Sequence, residues 1–296
     1  MRLIKIAILT LLCACFTLRA QEKPINIWEG TECKEKVRLT PYPAPGSGNI
    51  ACIVCPGGSY FWLDRKTEGE GVARWLQSQG ISAFVLEYRV GGVFGFITHN
   101  RLLTRGHRYP DMLQDVQRSI QLLREHPEDY GIDPDRLGVM GFSAGGHLAA
   151  MSGLFFDNGV LSLAGLRPEV SLRPDFIAPV YPVVSLTDRS VHKRSRRGLL
   201  GEGHAISPDM KDSLSLEKHV RADMPPTYLM NCVDDPIVKY RNSELLDSAM
   251  TAKGVTHRYV QFKTGGHGFG ADPKKTTAEA IAWKDDFINW LKNLFE

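Results

Sequence analysis

The sequence predicts an α/β fold, a mostly parallel central sheet with helices on both faces. Short apolar runs alternate with amphipathic helical segments along most of the 296 residues. Strands with continuous apolar residues are typical of a parallel sheet that is covered on both sides. Because no internal repeat, low-complexity tract or linker divides the sequence, we expect residues 21–296 to form a single domain.

The order of the elements follows from where these patterns occur. The polar, proline-rich segment 21–48 supplies one or two edge strands, such as residues 36–39. The later apolar runs predict inner strands, and the amphipathic segments between them predict helices that cover the sheet. In chain order the strands are 50–55, 81–86, 137–140, 176–184, 227–233 and 257–262, and the helices are 69–79, 111–125, 144–151, 240–253 and 276–294.

Two long connections, residues 91–108 and 185–220, do not fit the alternation. The first contains glycines, phenylalanines and several basic residues, and the second contains a run of basic residues at 192–197. Connections of this length in a compact domain are often functional. A solvated surface excursion is the alternative for each of them.

Composition and charge exclude several function classes. With 43% hydrophobic and 23% charged residues, the chain is neither disordered, collagen-like nor a coiled coil. The formal net charge is +3, and this excess equals the charge of Arg2, Lys5 and Arg19 in the first 20 residues. The remainder is neutral, so it lacks the basic character expected of a nucleic-acid-binding protein.

The first 20 residues predict export to the periplasm or the extracellular space. A basic start is followed by the apolar run 6–16, which is too short to span a bilayer, and by the small residue Ala20. This pattern indicates a signal peptide that is cleaved before Gln21. A Leu-Cys-Ala-Cys sequence ending at Cys15 resembles a bacterial lipobox, so acylation of Cys15 is the main alternative. An uncleaved anchor or a buried helix is the remaining one. No later segment is long and apolar enough to cross a membrane.

Cys52 and Cys55 form a CxxC pattern within the predicted strand 50–55. Residues three apart on a strand point to opposite faces, and no second CxxC completes a zinc site. We therefore expect buried cysteines that behave as small apolar residues. The sequence suggests neither a metal nor an organic cofactor.

The motif G-x-S-x-G at residues 141–145 identifies a candidate nucleophile. It follows the predicted strand 137–140 and precedes the predicted helix 144–151, a setting in which the motif forms a sharp turn that exposes the serine hydroxyl. Its glycines are needed because the strand and the helix approach too closely for side chains. The helix N-terminus adds a positive dipole end beside a developing oxyanion. We predict Ser143 as the nucleophile.

A serine hydroxyl needs a base, and the base needs an orienting acid. In the fold that uses this motif, the chain order is Ser, acid, His. His267 lies in the glycine-rich loop 265–270 just after the last predicted strand, so its ring is expected to reach over the sheet edge. His257 begins a strand, and His147 is expected to pack within the helix that follows the nucleophile. Three further histidines precede any suitable acid: His192, His204 and His219.

The acid is expected after a strand that lies between the nucleophile and His267. The strand 227–233 runs into Asp234 and Asp235, and either aspartate satisfies this order. Adjacent residues that leave a strand point in different directions, so only one of them is expected to face the histidine.

A tetrahedral oxyanion needs two or three backbone N–H donors. One is expected at Ala144, directly after the nucleophile, and the others at Gly57 and Gly58 in the turn after the first inner strand. This turn resembles the HGGG turn of esterases, with Pro56 in place of the histidine and Ser59 in place of the last glycine.

Together these motifs resemble the α/β-hydrolase superfamily, and within it the secreted bacterial carbohydrate esterases of the acetyl-xylan-esterase-like kind. The matching stretches are 55–60, 86–89, 109–111 with Asp115, 131–134, 138–148, 235–238 and 265–269. The resemblance covers nearly the whole chain after residue 50 and implies the α/β-hydrolase fold. It also implies that Asp235, which is followed two residues on by an apolar pair, is the acid. The substrate is the less specific part, because close relatives differ in it.

The expected function is therefore a serine esterase that hydrolyses short-chain, acetyl esters on carbohydrates through an acyl-enzyme. Ser59, Tyr60 and Trp62 are candidate substrate-binding residues, and the aromatic ones among them, with Phe61, either stack on sugar rings or belong to the core. One alternative is a prolyl-oligopeptidase-type serine peptidase, which usually carries a propeller domain ahead of the catalytic one. Another is a non-catalytic binding protein, which would be expected to have a broken triad. The oligomeric state stays open.

Overall fold

The computed structural model describes residues 23–98, 106–201 and 207–296. The predicted signal peptide with Cys15 lies outside these ranges, and so does His204. Within them, no helix combines the length and the apolar character needed to span a lipid bilayer.

The strands that the structure describes form one eight-stranded sheet. They are β1 (Ile25–Asn26), β2 (Arg38–Tyr42), β3 (Asn49–Cys55), β4 (Ser82–Glu87), β5 (Ile132–Phe142), β6 (Phe176–Val180), β7 (Thr227–Cys232) and β8 (His257–Phe262). Their order in the sheet is β1-β2-β4-β3-β5-β6-β7-β8. β2 runs antiparallel to β1 and β4, and all pairs from β4 to β8 are parallel. The predicted mostly parallel sheet is confirmed.

The helices cover this sheet and include four that the sequence did not predict. In the described ranges they are α1 (Gly71–Ser78), α2 (Gly92–Thr98), α3 (Asp111–Glu125), α4 (Pro127–Tyr130), α5 (Ala144–Leu154), α6 (Lys193–Leu200), α7 (Pro208–Ser213), α8 (Arg241–Ala252), α9 (Ala278–Ile281) and α10 (Trp283–Phe295). The segment predicted as one helix from 276 to 294 is divided into α9 and α10. Of the four, α2 lies in the connection 91–108, and α6 and α7 lie in the connection 185–220, where glycines and a basic run gave no amphipathic signal. The fourth, α4, is a single turn directly after α3.

The sheet separates two apolar cores. Helices α3, α5 and α8 cover one face, and α1 and α10 cover the other. Cys52 points into the α1/α10 core and Cys55 into the opposite one, and both are free and fully buried. The prediction of buried, unpaired cysteines on opposite faces is confirmed.

The strand register brings the candidate site to one edge of the sheet. Cys55 at the end of β3 pairs with Gly141 of β5, and Phe142 pairs with Val180 at the end of β6. Because parallel strands end at the same edge, the turns that follow them are neighbours. The loops after β7 and β8 leave the sheet on this edge as well.

Candidate active site

Ser143 lies on a strained turn between β5 and α5. Its backbone has φ 55° and ψ −115°, a conformation that side-chain-bearing residues rarely adopt. The turn is possible because its flanks are glycines: a Cβ on Gly141 would overlap the carbonyl oxygen of Gly145, and a Cβ on Gly145 would overlap that of Cys55. The predicted strand–turn–helix context of the motif is confirmed, and such strain is typical of functional positions.

The structure brings the predicted serine, histidine and acid together. His267 Nε2 lies 2.8 Å from Ser143 Oγ, and His267 Nδ1 lies 2.6 Å from Asp235 Oδ2. The other oxygen of Asp235 accepts hydrogen bonds from the backbone N–H groups of Ile237 and Val238. The carboxylate is thereby fixed, and it holds the imidazole with Nδ1 as donor and Nε2 as acceptor for the serine hydroxyl.

Asp234, the neighbour of Asp235, contacts the same loop but not the imidazole. Its carboxylate accepts hydrogen bonds from the N–H groups of Gly265 at 3.1 Å and Gly266 at 2.9 Å. The two adjacent aspartates therefore divide their contacts, one holding the histidine ring and the other the loop that carries it. The sequence did not predict this contact of Asp234.

His147 is a packed core residue. It is fully buried in α5, where Tyr60 OH lies 2.9 Å from its Nδ1 and the carbonyl oxygen of Leu214 lies 3.0 Å from its Nε2. Burial lowers the pKa of His147 to about 4, so the ring is neutral near pH 7. The prediction that it packs within the helix is confirmed.

The turn after β3, residues 56–60, differs from the prediction at Gly57. The Gly57 N–H donates to the carboxylate of Glu68 at 2.7 Å, so it is not available to an oxyanion and the prediction for this residue is wrong. Within the described residues, the N–H groups of Gly58 and Ser59 have no acceptor. Ala144 begins α5, and the first N–H groups of a helix have no intrahelical acceptor. These three donors remain for an oxyanion.

The aromatic residues after this turn divide between the core and the rim of the site. Tyr60 is 1% exposed, with its hydroxyl on His147, so the prediction that it contacts substrate is wrong. Phe61 is also buried, at 5% exposure. Trp62 is partly exposed and packs edge-on against Phe96 of α2, with ring centroids 5.3 Å apart. Ser59 is 7% exposed.

Helix α6 forms a second part of the rim. Gly198 lies so close to the carbonyl oxygen of Ser59 that a Cβ on Gly198 would overlap it. Helix α6 therefore packs directly on the turn 56–60, which we call the oxyanion turn. The guanidinium of Arg194 lies over the Trp62 ring, 6.0 Å from its centroid. Burial, followed by the proximity of Arg194 and His267, lowers the pKa of His192 to about 4.

A buried carboxylate that the sequence gave no reason to select lies behind the site. Glu68, besides binding Gly57, accepts a hydrogen bond from Tyr181 OH at 2.9 Å. Burial raises the pKa of Glu68, and the proximity of His267 opposes that shift. An acidic residue in a polar segment has no pattern that distinguishes it from a surface residue, so a single sequence carried no usable signal. Among the described residues, no group of three or more His, Cys, Asp or Glu side chains is arranged to hold a metal ion.

Comparison with known proteins identifies the family. Residues 42–250 match the model of the BD-FAE family. The chain belongs to this family. A solved structure, the acetyl ester-xyloside bifunctional hydrolase from Caldicellulosiruptor lactoaceticus, is 34% identical to this chain. The match covers 94% of this chain and 98% of that one, and the two superpose with a TM-score of 0.81. The predicted α/β-hydrolase fold and the resemblance to carbohydrate esterases are confirmed.

Two curated proteins are also similar to this BD-FAE member. The acetylxylan esterase of Xylanibacter ruminicola is 30% identical over 246 residues, which are 82% of this chain and 45% of that protein. Endo-1,4-beta-xylanase B of Butyrivibrio fibrisolvens is 33% identical over 219 residues, which are 73% of this chain and 32% of that protein. The chain therefore spans less than half the length of either relative.

Proposed function

We propose that the protein is a serine esterase that removes acetyl groups from carbohydrates. The observation that carries the proposal is the chain of contacts from Ser143 through His267 to Asp235, at 2.8 Å and 2.6 Å. The similarity to an acetylxylan esterase and to an acetyl ester-xyloside hydrolase supports the reaction class and the substrate class.

In the proposed mechanism, Ser143 Oγ attacks the ester carbonyl while His267 Nε2 takes its proton. Asp235 keeps the imidazole oriented and stabilises the imidazolium. The negative charge on the carbonyl oxygen is stabilised by backbone N–H groups, and His267 then protonates the leaving sugar hydroxyl. A water molecule, activated by the same imidazole, attacks the acyl-enzyme, releases acetate and restores the serine.

The donors proposed for the oxyanion are Gly58, Ser59 and Ala144. Gly58 and Ser59 replace the pair suggested by the sequence, since the Gly57 N–H is already bound to Glu68. Their position after β3, beside the nucleophile turn, supports this role because the two turns follow adjacent strands.

A carbohydrate is the proposed alcohol portion, and acetyl the proposed acyl group. The rim supports a sugar because Trp62 and Arg194 form a surface that combines an aromatic ring with a charged hydrogen-bond donor. Side chains of this kind contact the apolar faces and the hydroxyls of sugars. A broad apolar trough, as long acyl chains need, would not include such charged groups at its entrance.

The activity test compares three substrate classes on the purified protein. We expect turnover of p-nitrophenyl acetate and of acetylated xylo-oligosaccharides, a falling kcat/KM from acetate through butyrate to octanoate, and no release from aminoacyl-p-nitroanilides. Ser143→Ala, measured in parallel, serves as the control for contaminating esterases. A maximum at octanoate would contradict the carbohydrate-deacetylase assignment, and anilide cleavage would favour the peptidase.

We also propose that the protein is exported, with residues 1–20 removed as a signal peptide. The basic start and the short apolar run support this. Intact mass and N-terminal sequencing of protein expressed in a bacterial host are the test, with Gln21 expected as the first residue. An N-terminal Cys15 that carries lipid would contradict cleavage at Gln21 and indicate a lipoprotein.

A further inference from the structure

Glu68 is a buried acidic residue that has no lysine or arginine partner among the described residues. It lies in the π-helical turn Arg65–Glu70 and is 3% exposed. Burial of a carboxylate is strongly unfavourable unless polar groups satisfy it. Each of its two oxygens accepts one hydrogen bond, Oε2 from Gly57 N–H and Oε1 from Tyr181 OH. These contacts lead to the turn after β3 and, through Tyr181, to the loop that carries His267.

The first contact fixes one peptide group of the oxyanion turn. Glu68 binds the N–H of the peptide that joins Pro56 to Gly57, at 2.7 Å. Tyr88 OH donates to the carbonyl oxygen of the same peptide, that of Pro56, at 2.6 Å. Because both polar groups of this peptide are held, the peptides that follow it in the turn have a defined direction when substrate arrives. Such preorganised donors stabilise an oxyanion without further rearrangement.

The second contact fixes the loop that carries the histidine. Tyr181, which donates to Glu68, accepts a hydrogen bond from the N–H of Gly270 at 2.9 Å. Its ring packs against the His267 ring with centroids 4.7 Å apart. Tyr181 has a backbone φ of 37°, an unfavourable value for a residue with a side chain, and Tyr181 is held there by these contacts.

We propose that Glu68 is a positioning residue for ester hydrolysis, which holds the oxyanion turn and the His267 loop in one geometry through its two carboxylate oxygens. The inference rests on the proposed esterase function, because positioning is measured as a change in that activity. Glu68 does not touch the reacting atoms. It acts through Gly57 on the donors and through Tyr181 on the base.

The test is the variant Glu68→Gln, which has nearly the same size and retains only one carbonyl oxygen as acceptor. We expect kcat for p-nitrophenyl acetate to fall about 10-fold to 100-fold, less than the loss of a whole oxyanion donor. KM is expected to stay within about threefold, since the donors act on the transition state rather than on substrate binding. Melting temperature and circular dichroism establish that the variant is folded.

Glu70→Gln is the matched control. Glu70 belongs to the same turn, but it is partly exposed and pairs with Arg74 at the surface. The same chemical change two residues further along the turn is expected to leave kcat and KM within about twofold, because an ion pair at the surface contributes little.

Tyr181→Phe tests the second contact by removing the hydroxyl alone. We expect kcat to fall about fivefold to 20-fold, less than in Glu68→Gln, because the contact with Gly57 remains. The double variant is expected to lose less than the product of the two single losses, since both substitutions act on one network. If Glu68→Gln does not fold, the kcat of Tyr181→Phe decides the question.

Three results would overturn the inference while leaving the esterase function intact: an unchanged kcat in Glu68→Gln, a loss confined to KM, or fully multiplicative losses in the double variant. In each case the wild-type protein hydrolyses the ester and Ser143→Ala does not. A wild-type protein that hydrolyses no ester would overturn both the function and the positioning role.

Discussion

The two histidines closest in the chain or in space to Ser143 have opposite surroundings. His267 lies on a glycine-rich loop with a carboxylate on one ring nitrogen and the serine hydroxyl on the other. His147 is one helical turn past Ser143, buried between a phenol and a backbone carbonyl. Only the first environment stabilises a positive imidazole, which a general base becomes when it accepts a proton. The comparison teaches that the neighbours of a histidine, rather than its distance along the chain from the nucleophile, decide its chemistry.

The largest expected difference is between His267→Ala and His147→Gln. Loss of the base is expected to lower kcat about 10⁵-fold, because the serine, histidine and acid act as a unit. His147→Gln is expected to keep kcat within about threefold per folded molecule while lowering the melting temperature. Kinetics on p-nitrophenyl acetate with a parallel thermal melt is the measurement. The comparison fails if the His147 variant loses activity although it remains folded.

The adjacent aspartates sharpen the same comparison. Asp235→Asn is expected to lower kcat about 10³-fold to 10⁴-fold, because the amide favours the wrong histidine tautomer. Asp234→Asn is expected to lower it about 10-fold at most, since the asparagine oxygen can still accept from one of the two loop N–H groups. Steady-state kinetics of both variants under identical conditions measures the ratio. Equal losses would show that holding the loop matters as much as holding the ring.

The burial of His147 is expected to make the free energy of unfolding depend on pH. With a pKa of about 4 when folded and about 6.5 when unfolded, His147 takes up a proton on unfolding at intermediate pH. Its contribution is therefore present above pH 6.5 and is lost as the pH falls toward 4. Between pH 7 and pH 5, the free energy of unfolding is expected to fall by about 2 kcal/mol from this group.

Urea denaturation of the wild type and of His147→Gln at both pH values is the measurement. The variant is expected to show a smaller fall, by about the same 2 kcal/mol. His192 also has a lowered pKa, but it is present in both proteins and cancels in the difference. An identical fall in the free energy of unfolding from pH 7 to pH 5 in the two proteins would mean that His147 is not held neutral by burial.

The smallest expected effects are those of substitutions at Tyr60, an aromatic residue in the core, and at Trp62, an aromatic residue at the rim of the site. Tyr60→Phe removes a buried hydrogen bond to His147 and is expected to lower the free energy of unfolding by about 1 kcal/mol, with kcat unchanged. Trp62→Ala is expected to raise KM for acetylated xylo-oligosaccharides about threefold to tenfold, with little change for p-nitrophenyl acetate. Equal KM changes for both substrates would argue against sugar stacking on Trp62.

The fold and half of the site were predictable because their signals are local. Continuous apolar runs predicted the inner strands, and the motif around Ser143 predicted the turn from residues that are adjacent in the chain. The order Ser, acid, His left His257 and His267, and the place of His257 at the start of a strand restricted the base to His267. The choice between Asp234 and Asp235 needed the family resemblance, because the direction of a side chain after a strand depends on the turn that follows.

The other half of the site depends on contacts between distant segments. Glu68 lies 11 residues from Gly57 and 113 residues from Tyr181, and nothing in the polar segment around it indicates burial. The error at Gly57 has the same origin, since a free N–H and one bound by a distant carboxylate look identical in a sequence. The burial of Tyr60 was equally undetermined, because an aromatic residue after a turn suits both the core and the rim.

The close packing of glycines around Ser143 limits which parts of the site substitutions can change. Gly57, Gly145 and Gly198 come from three segments, and each would clash with neighbouring atoms if it carried a side chain. The surface that these glycines form next to Ser143 is therefore main chain, which a point mutation can hardly alter. Side chains can be exchanged more readily at the rim of the site, at Trp62 and Arg194. For the proposed esterase, substitutions at these two positions can change which substrate is bound while the reaction stays the same, so a library aimed at new substrates belongs there.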